Sequence, residues 1–439
     1  MNIDHLLARL PHQLSLPTFA EMRERTHLLR DQRGVDVRTV GEDRTGESIE
    51  MISLGDGPTS VLLIGAPHPN EPIGCIAIER LIHELAADPV LLRQTGCRWH
   101  FIKAIEPYAL KQNEGWFKRP DVATYLQHFY RPSGADQAEY SFPAPRGMGG
   151  SWQPCVENAA YRQALQIAQP DLLASLHNAE GSGAFYFLSR DDALLATRLS
   201  AQAAQNGLPL NLLGEEAPDV REAPLAPGVF LLLDEPRPTP EAREHEGLSV
   251  NAWLAAQGRR PRCFLVPEVP LFVDSIECRF ASAEACLRSA AQLEWPARLD
   301  ALLADHLALM DVAATPLEQL YLDAILEMVP MFKKLLNALP ELQAKASPGD
   351  LEAQVRAQVL LSLRPMAMAR RLAAMRAARA DLLDLASRAR ASEQACTREL
   401  AAALDTPLLR NAFQPVPLRA AVATQLQAVL ATATAVVHA

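Results

Sequence analysis

The sequence predicts an α/β fold on a mixed, mostly parallel sheet, followed by an all-helical C-terminal domain. From Val35 to Glu294, short apolar or alternating runs are interleaved with stretches of helical spacing. Beyond Trp295 no run of strand character is convincing, and apolar residues recur three and four apart in segments rich in Ala, Leu and Arg. The 439 residues exceed one ordinary core. The expected division is an N-terminal helical segment over 1–34, an α/β domain over 35–294 and a helical bundle over 295–439.

The first thirty residues read as helical segments split by Pro11 and Pro17. VDVRTVGEDRTGESIEMISLG, from Val35, alternates around glycine-containing turns and reads as a hairpin. SVLLIGAP, from Ser60, is a continuous apolar run and reads as a strand buried on both faces. IGCIAIERLIHELAAD follows with helical spacing, and RWHFIKAIE returns to strand. DLLASLHNA and AFYFLS are two more strands. DDALLATRLSAQAAQNG is a helix stopped at Gly207. GVFLLLDE is a strand, LSVNAWLAAQG a helix and RCFLVPEVPLF the last strand. After that, PLEQLYLDAILEMVPMFKKLLNALPELQ is one amphipathic stretch, and a second long one from Asp350 carries a kink at Pro365. Met366, Met368 and Met375 read as core rather than as a functional methionine cluster. In open sheets of this kind a ligand site lies beyond the carboxyl ends of the strands.

Hydrophobic residues make up 49% and charged residues 21%, the balance of a soluble globular chain. The net charge of −10 argues against a nucleic-acid or anionic-membrane partner, since both select a basic face. MNIDHLLARLPHQL lacks the basic head and long apolar run of a secretory signal. No membrane span is expected, and the apolar run from Ala420 to Ala439, interrupted by Thr and Gln, reads as a buried helix. The seven cysteines form no C-x-x-C pair and are odd in number, against both a disulfide framework and a cysteine metal site. A reducing cytoplasm is the compartment this suits.

Three polar groups interrupt apolar strand ends. GAPHPNEPIG places His68 and Glu71 three apart at a strand-to-helix turn, where imidazole and carboxylate can reach one cation. With eleven histidines in the chain, the pair alone reads more readily as a polar loop. ASLHNAEGSG puts His177 at the end of another buried strand, and it supplies the third ligand the first pair lacks. In FLVPEVPLF, Glu268 breaks a strongly apolar strand; a carboxylate there is paired, exposed at a strand end, or catalytic. Together the four residues fit a zinc-dependent hydrolase, with one Zn²⁺ per chain on His68, Glu71 and His177 and Glu268 as the general base.

The order His-x-x-Glu, Arg-containing segment, strand-end His and late-strand Glu resembles the zinc metallocarboxypeptidase (funnelin) family. It also resembles that family's aspartoacylase and succinylglutamate desuccinylase relatives. The resemblance covers roughly Val35 to Glu294, and the H-x-N-E-P segment followed by Gly and a helix is its most specific part. It implies an α/β/α sandwich around a mixed eight-stranded sheet and metal-promoted hydrolysis of an amide bond. The family's Asp-x-Asn-Arg motif has its counterpart in HFYRP, where Arg131 matches the Arg while His128 and Tyr130 replace the Asp and Asn. Arg131 is thus the candidate grip for a substrate carboxylate, with a surface salt bridge as the other reading. For the carbonyl-polarising Arg, Lys118 or Arg119 in KQNEGWFKRP are the stand-ins. The Tyr that commonly precedes the catalytic Glu in carboxypeptidases has no counterpart between Leu232 and Glu268.

Three functions follow as expectations: a carboxypeptidase-type metallopeptidase acting on peptides, an amidohydrolase acting on N-acyl amino acids at the same site, or a non-catalytic binding module. The helical domain carries no motif. It can form a homodimer, cover the site, bind a partner or serve as a structural appendage.

Overall fold

A computed structural model describes the chain except residues 1–2, 144–152, 182, 215–223, 233–246, 275–278, 308–313, 345–346 and 380–382. Two short helices open it, α1 (Ile3–Ala8) and α2 (Phe19–Leu29). The second is started by Thr18 and Glu21, whose side chains and backbones exchange hydrogen bonds as a capping box. The expected hairpin is β1 (Val35–Glu42) against β2 (Ser48–Leu54). Then come β3 (Thr59–Gly65), α3 (Ile73–Ala87), α4 (Pro89–Gln94), β4 (Cys97–Ile102), α5 (Pro107–Asn113), α6 (Val122–His128) and α7 (Val156–Ala168). β5 (Leu172–Ala179), β6 (Phe185–Leu188), α8 (Ala193–Gln205), β7 (Val229–Leu231), α9 (Val250–Ala256), β8 (Cys263–Pro270) and β9 (Phe272–Asp274) complete the α/β part. The end of the GVFLLLDE run lies outside the described residues.

Eight strands form one mixed sheet in the order β1-β2-β4-β3-β5-β8-β6-β7. β4, β3, β5 and β8 run parallel at its centre, and the antiparallel pairs lie outward of them. Every residue of β3 and of β5 is buried, which is what a parallel strand covered on both faces requires. Alternation by two then sorts their side chains. Leu172, Ala174 and Leu176 face the core shared with α3, α8 and α16 (Leu418–Val437). Leu173 faces the second core, shared with α7 and α9. The sheet is therefore the middle layer of an α/β/α sandwich.

The remaining helices are α10 (Ala283–Ala291), α11 (Trp295–Leu307), α12 (Pro316–Ala338), α13 (Pro348–Leu361), α14 (Arg364–Ala377) and α15 (Leu383–Leu404). α14 packs on α12 and α15, and α11 on α12. Pro365 does not kink a long helix: α13 ends at Leu361 and Pro365 sits in the first turn of α14, where its missing N–H costs nothing. Met366 and Met368 are buried in the core and Met375 packs at its edge.

Two features depart from a purely helical region after Trp295. Phe413–Pro415 forms β10, which pairs antiparallel with β9 in a separate two-stranded sheet. The last helix, α16, returns to the α/β part and packs on α3, α8, β5 and β8. Its sequence is apolar on all sides rather than along one stripe, and that suits a helix enclosed by a sheet and two flanking helices. It is the one helix among the described residues long and apolar enough to cross a membrane, and 78% of that apolar window is buried inside the protein. The cysteines are free at 75, 97, 155, 263, 286 and 396, with Cys278 outside the described residues.

Candidate metal centre

His68 and Glu71 sit on the turn between β3 and α3, closed by the Glu71 N–H donating to the His68 carbonyl at 3.0 Å. The turn leaves β3 through Ala66 at a φ of 44°, the left-handed region that side chains seldom occupy. Gly74 lets the first turn of α3 press on β5, since a Cβ there would stand 2.7 Å from that of Leu176. His177 and Glu268 are register partners on adjacent parallel strands, near the carboxyl ends of β5 and β8. They project from the α7/α9 face of the sheet, on the alternation that also carries Leu173, Phe264 and Val266 to that face.

These elements bring His68, Glu71 and His177 into one buried cluster, with one potential ligand atom from each lying within 4.8 Å of the others. His177 Nδ1 lies 3.1 Å from Glu71 Oε2 and 3.8 Å from Glu268 Oε1. The His68 and His177 rings meet edge to face at 4.7 Å. Burial, helped by Arg131 and His177, holds the His68 imidazole well below its usual pKa, so it is neutral. Its Nδ1 is buried with no hydrogen-bond partner. Burial also works against a charged His177, but Glu139, Glu268 and Glu71 outweigh it and hold that imidazole well above its usual pKa. The centre thus attracts positive charge and offers a neutral imidazole with an unused buried nitrogen. Two imidazoles and a carboxylate at this spacing fit the donor set and size of a divalent zinc site.

Several neighbours fix these three candidate ligands. Glu139 Oε2 stands 3.0 Å from His177 Nε2, a charge pair on the side of the ring away from Glu71. The Asn178 N–H donates to Glu71 Oε2 at 3.0 Å, and its side chain joins α3 to β8 by accepting from Ile73 N–H and donating to the Val269 carbonyl. From α16, Gln425 Nε2 donates to the His177 carbonyl at 2.9 Å. Tyr140 stacks on His68 at 5.6 Å. Glu139, Tyr140 and Gln425 carried no recognisable signal: two lie in the irregular stretch before α7 and the third is 248 residues from its partner.

A cavity of about 230 Å³ opens from the cluster. His68, Glu71, His177, Glu139 and Glu268 line its polar end, and Phe185, Phe187, Leu232, Val250, Phe264 and Val266 line an apolar wall. Among the described residues no Lys or Arg lines it. Arg131 lies behind the ligands instead: it is buried, with Nη1 3.5 Å from Glu71 Oε1. Lys118 is exposed and outside the cavity lining, with its charge felt at Glu21 of α2, so it does not stand in for a carbonyl-polarising Arg. Arg119 is also exposed and pairs with Asp121 at 2.8 Å. His128 and Tyr130 do not line the cavity either, and the Tyr130 ring packs on Tyr321.

Fold and site together define a class: an α/β/α sandwich with a His-Glu-His cluster at its strand ends and a further carboxylate beside it. No family model matches the chain, and no curated protein matches it. Among solved structures the chain is similar to carboxypeptidase A from Helicoverpa armigera, at 14% identity over 62% of this chain and 72% of that one, with a TM-score of 0.38. It is also similar to the metallo-carboxypeptidase from Burkholderia cenocepacia, at 14% identity, 58% and 60% coverage and a TM-score of 0.36. A third is the metallo-carboxypeptidase from Pseudomonas aeruginosa, at 14% identity, 58% and 60% coverage and a TM-score of 0.33.

Proposed function

We propose that the chain is a zinc-dependent hydrolase that cleaves an amide bond, most simply a carboxypeptidase-type metallopeptidase. The observation that carries this reading is the buried His68–Glu71–His177 cluster with Glu268 beside it, all lining one cavity. Bound there, zinc would supply a polarised carbonyl and a water acidified toward neutrality.

The chain's own groups account for the rest. Glu268 is the least buried of the cluster's carboxylates and borders the cavity, where it can take a proton from the attacking water. The water oxygen bonds to the carbonyl carbon, the carbon–nitrogen bond breaks, and Glu268 returns the proton to the leaving nitrogen. Glu139 keeps His177 oriented throughout, and the neutral His68 presents its lone pair. Arg131, behind the cluster and paired with Glu71, holds that carboxylate in place and offsets its charge. The Phe, Leu and Val wall receives an apolar group of the substrate.

The apolar wall also favours a second reading, an amidohydrolase in which the acyl group of an N-acyl amino acid fills the cavity. Release of free amino acids from blocked peptides and from N-acyl amino acids, assayed with and without a chelator, separates the two. Hydrolysis of neither by zinc-loaded protein would leave only a non-catalytic binding module.

A further inference from the structure

Arg131 reaches Glu71 from a segment without regular secondary structure, and the helices beyond Trp295 hold that segment on both sides. Upstream, Arg371 of α14 donates from Nη1 to the carbonyls of Gln112, His128 and Phe129 at 3.0, 2.7 and 3.1 Å. Next along the chain, the Tyr130 ring lies on the Tyr321 ring of α12 at 4.7 Å. Downstream, the Gly134 N–H donates to both carboxylate oxygens of Glu327 of α12, at 3.0 and 2.9 Å. A fourth contact ties the end of the His177 strand to α14: Arg364 is fully buried, lies over the Phe129 ring at 5.2 Å and pairs with Glu180, three residues past His177. From the α/β side the Tyr130 backbone is held by Asn113.

We propose that the helical region is a positioning element of the centre: Arg371, Tyr321 and Glu327 clamp residues 129–134 and so hold Arg131 against Glu71. This rests on the hydrolase reading for its effect on turnover, but the clamp itself is a property of the apo chain. The physical reason is entropy. An irregular segment on its own samples many backbone states. Anchors on either side of Arg131 leave its guanidinium few positions, and positioning within an ångström is worth large factors in rate. The role differs from mere packing because it acts through one residue.

The test uses full-length protein carrying Arg371→Met or Glu327→Ala. Glu327 is exposed, so its removal leaves the core intact. Without added metal, hydrogen exchange over the 129–133 segment, the Asn113-held Tyr130 amide aside, should quicken by about tenfold in both variants, while the thermal midpoint of Glu327→Ala stays near wild type. With zinc, Arg371→Met should lower kcat by roughly ten- to a hundredfold. On an Arg131→Ala background the same change should cost less than about twofold, since the residue being positioned is gone. Unchanged exchange in both variants, or an Arg371→Met loss equal on the two backgrounds, overturns the proposal. If wild-type protein hydrolyses no amide, the hydrolase reading fails, and the exchange measurement still decides the clamp.

Discussion

His177 and Glu268 are direct neighbours across β5 and β8, with Nδ1 and Oε1 3.8 Å apart. This pairing puts a candidate ligand nitrogen and the Glu268 carboxylate side by side near the carboxyl ends of two central strands, where neither depends on a loop for its place. If Glu268 is the general base, Glu268→Gln keeps the shape of the side chain and removes its basicity. The variant should bind zinc and melt as wild type does, while kcat falls by about 10² to 10⁴-fold. Turnover near the wild-type value would move the base elsewhere.

His68 and His177 should each be needed for the metal. The expected stoichiometry is one zinc per chain by elemental analysis after gel filtration. His68→Ala or His177→Ala should remove most of it, because a site with three protein ligands loses affinity steeply when one goes. A His68→Ala, His177→Ala double variant that still holds a full equivalent would place the metal at other residues.

Glu139 should matter less than a ligand and more than a surface carboxylate. It touches His177 at Nε2, the nitrogen away from Glu71. Glu139→Gln leaves all three ligands but weakens the pull on the imidazole proton, and metal affinity should drop by about 10 to 100-fold. Competition against a chelator of known affinity measures this. A variant as tight as wild type would make Glu139 a bystander.

Arg131 carries a question of specificity. It was expected to grip a substrate carboxylate, and it stands at the Glu71 side of the centre rather than along the cavity wall. Arg131→Ala should therefore weaken kcat for substrates with a free carboxylate and for their amidated analogues alike, if its work is on Glu71 rather than on the substrate. A loss confined to the free carboxylates would restore the original assignment.

What the sequence reveals of this molecule follows the range of the interactions involved. β3, β5 and β8 are continuous apolar runs, so a His or Glu at their ends stands out against its neighbours; His68, His177 and Glu268 are readable for that reason. Glu71 is readable because the turn fixes its distance from His68. Glu139 lies in a buried but irregular stretch with no periodicity to mark it, and Lys118 shows the converse, a basic residue near the right place in the chain that folds to the surface. α16 is legible as a buried helix from its composition, but composition does not say which surface buries it; that depends on contacts with β5 and β8, more than 140 residues away. Arg364, Arg371 and Glu327 are unremarkable on amphipathic helices until the fold sets them against Glu180 and residues 128–134.

The last helix leads to a prediction about the division of the chain. A bundle confined to residues beyond Trp295 would let the α/β part stand alone, yet α16 fills the layer over β5 and β8 between α3 and α8. Val422, Leu426, Val429, Leu430 and Val436 are all buried in the core it shares with the sheet. Burial of large aliphatic side chains stabilises by roughly 1.5–3 kcal/mol each, so these five contribute on the order of 8–15 kcal/mol, as much as the whole net stability of a typical domain. Loss of α16 also takes away Gln425, which bonds the His177 carbonyl. A chain ending at Glu294 should therefore fail to give a cooperative melt and should not retain zinc, whereas adding residues 413–439 back as a separate peptide should restore some of both. A cooperative, zinc-binding protein ending at Glu294 would show that the sheet closes without its last helix and that the boundary at Trp295 is a true domain border.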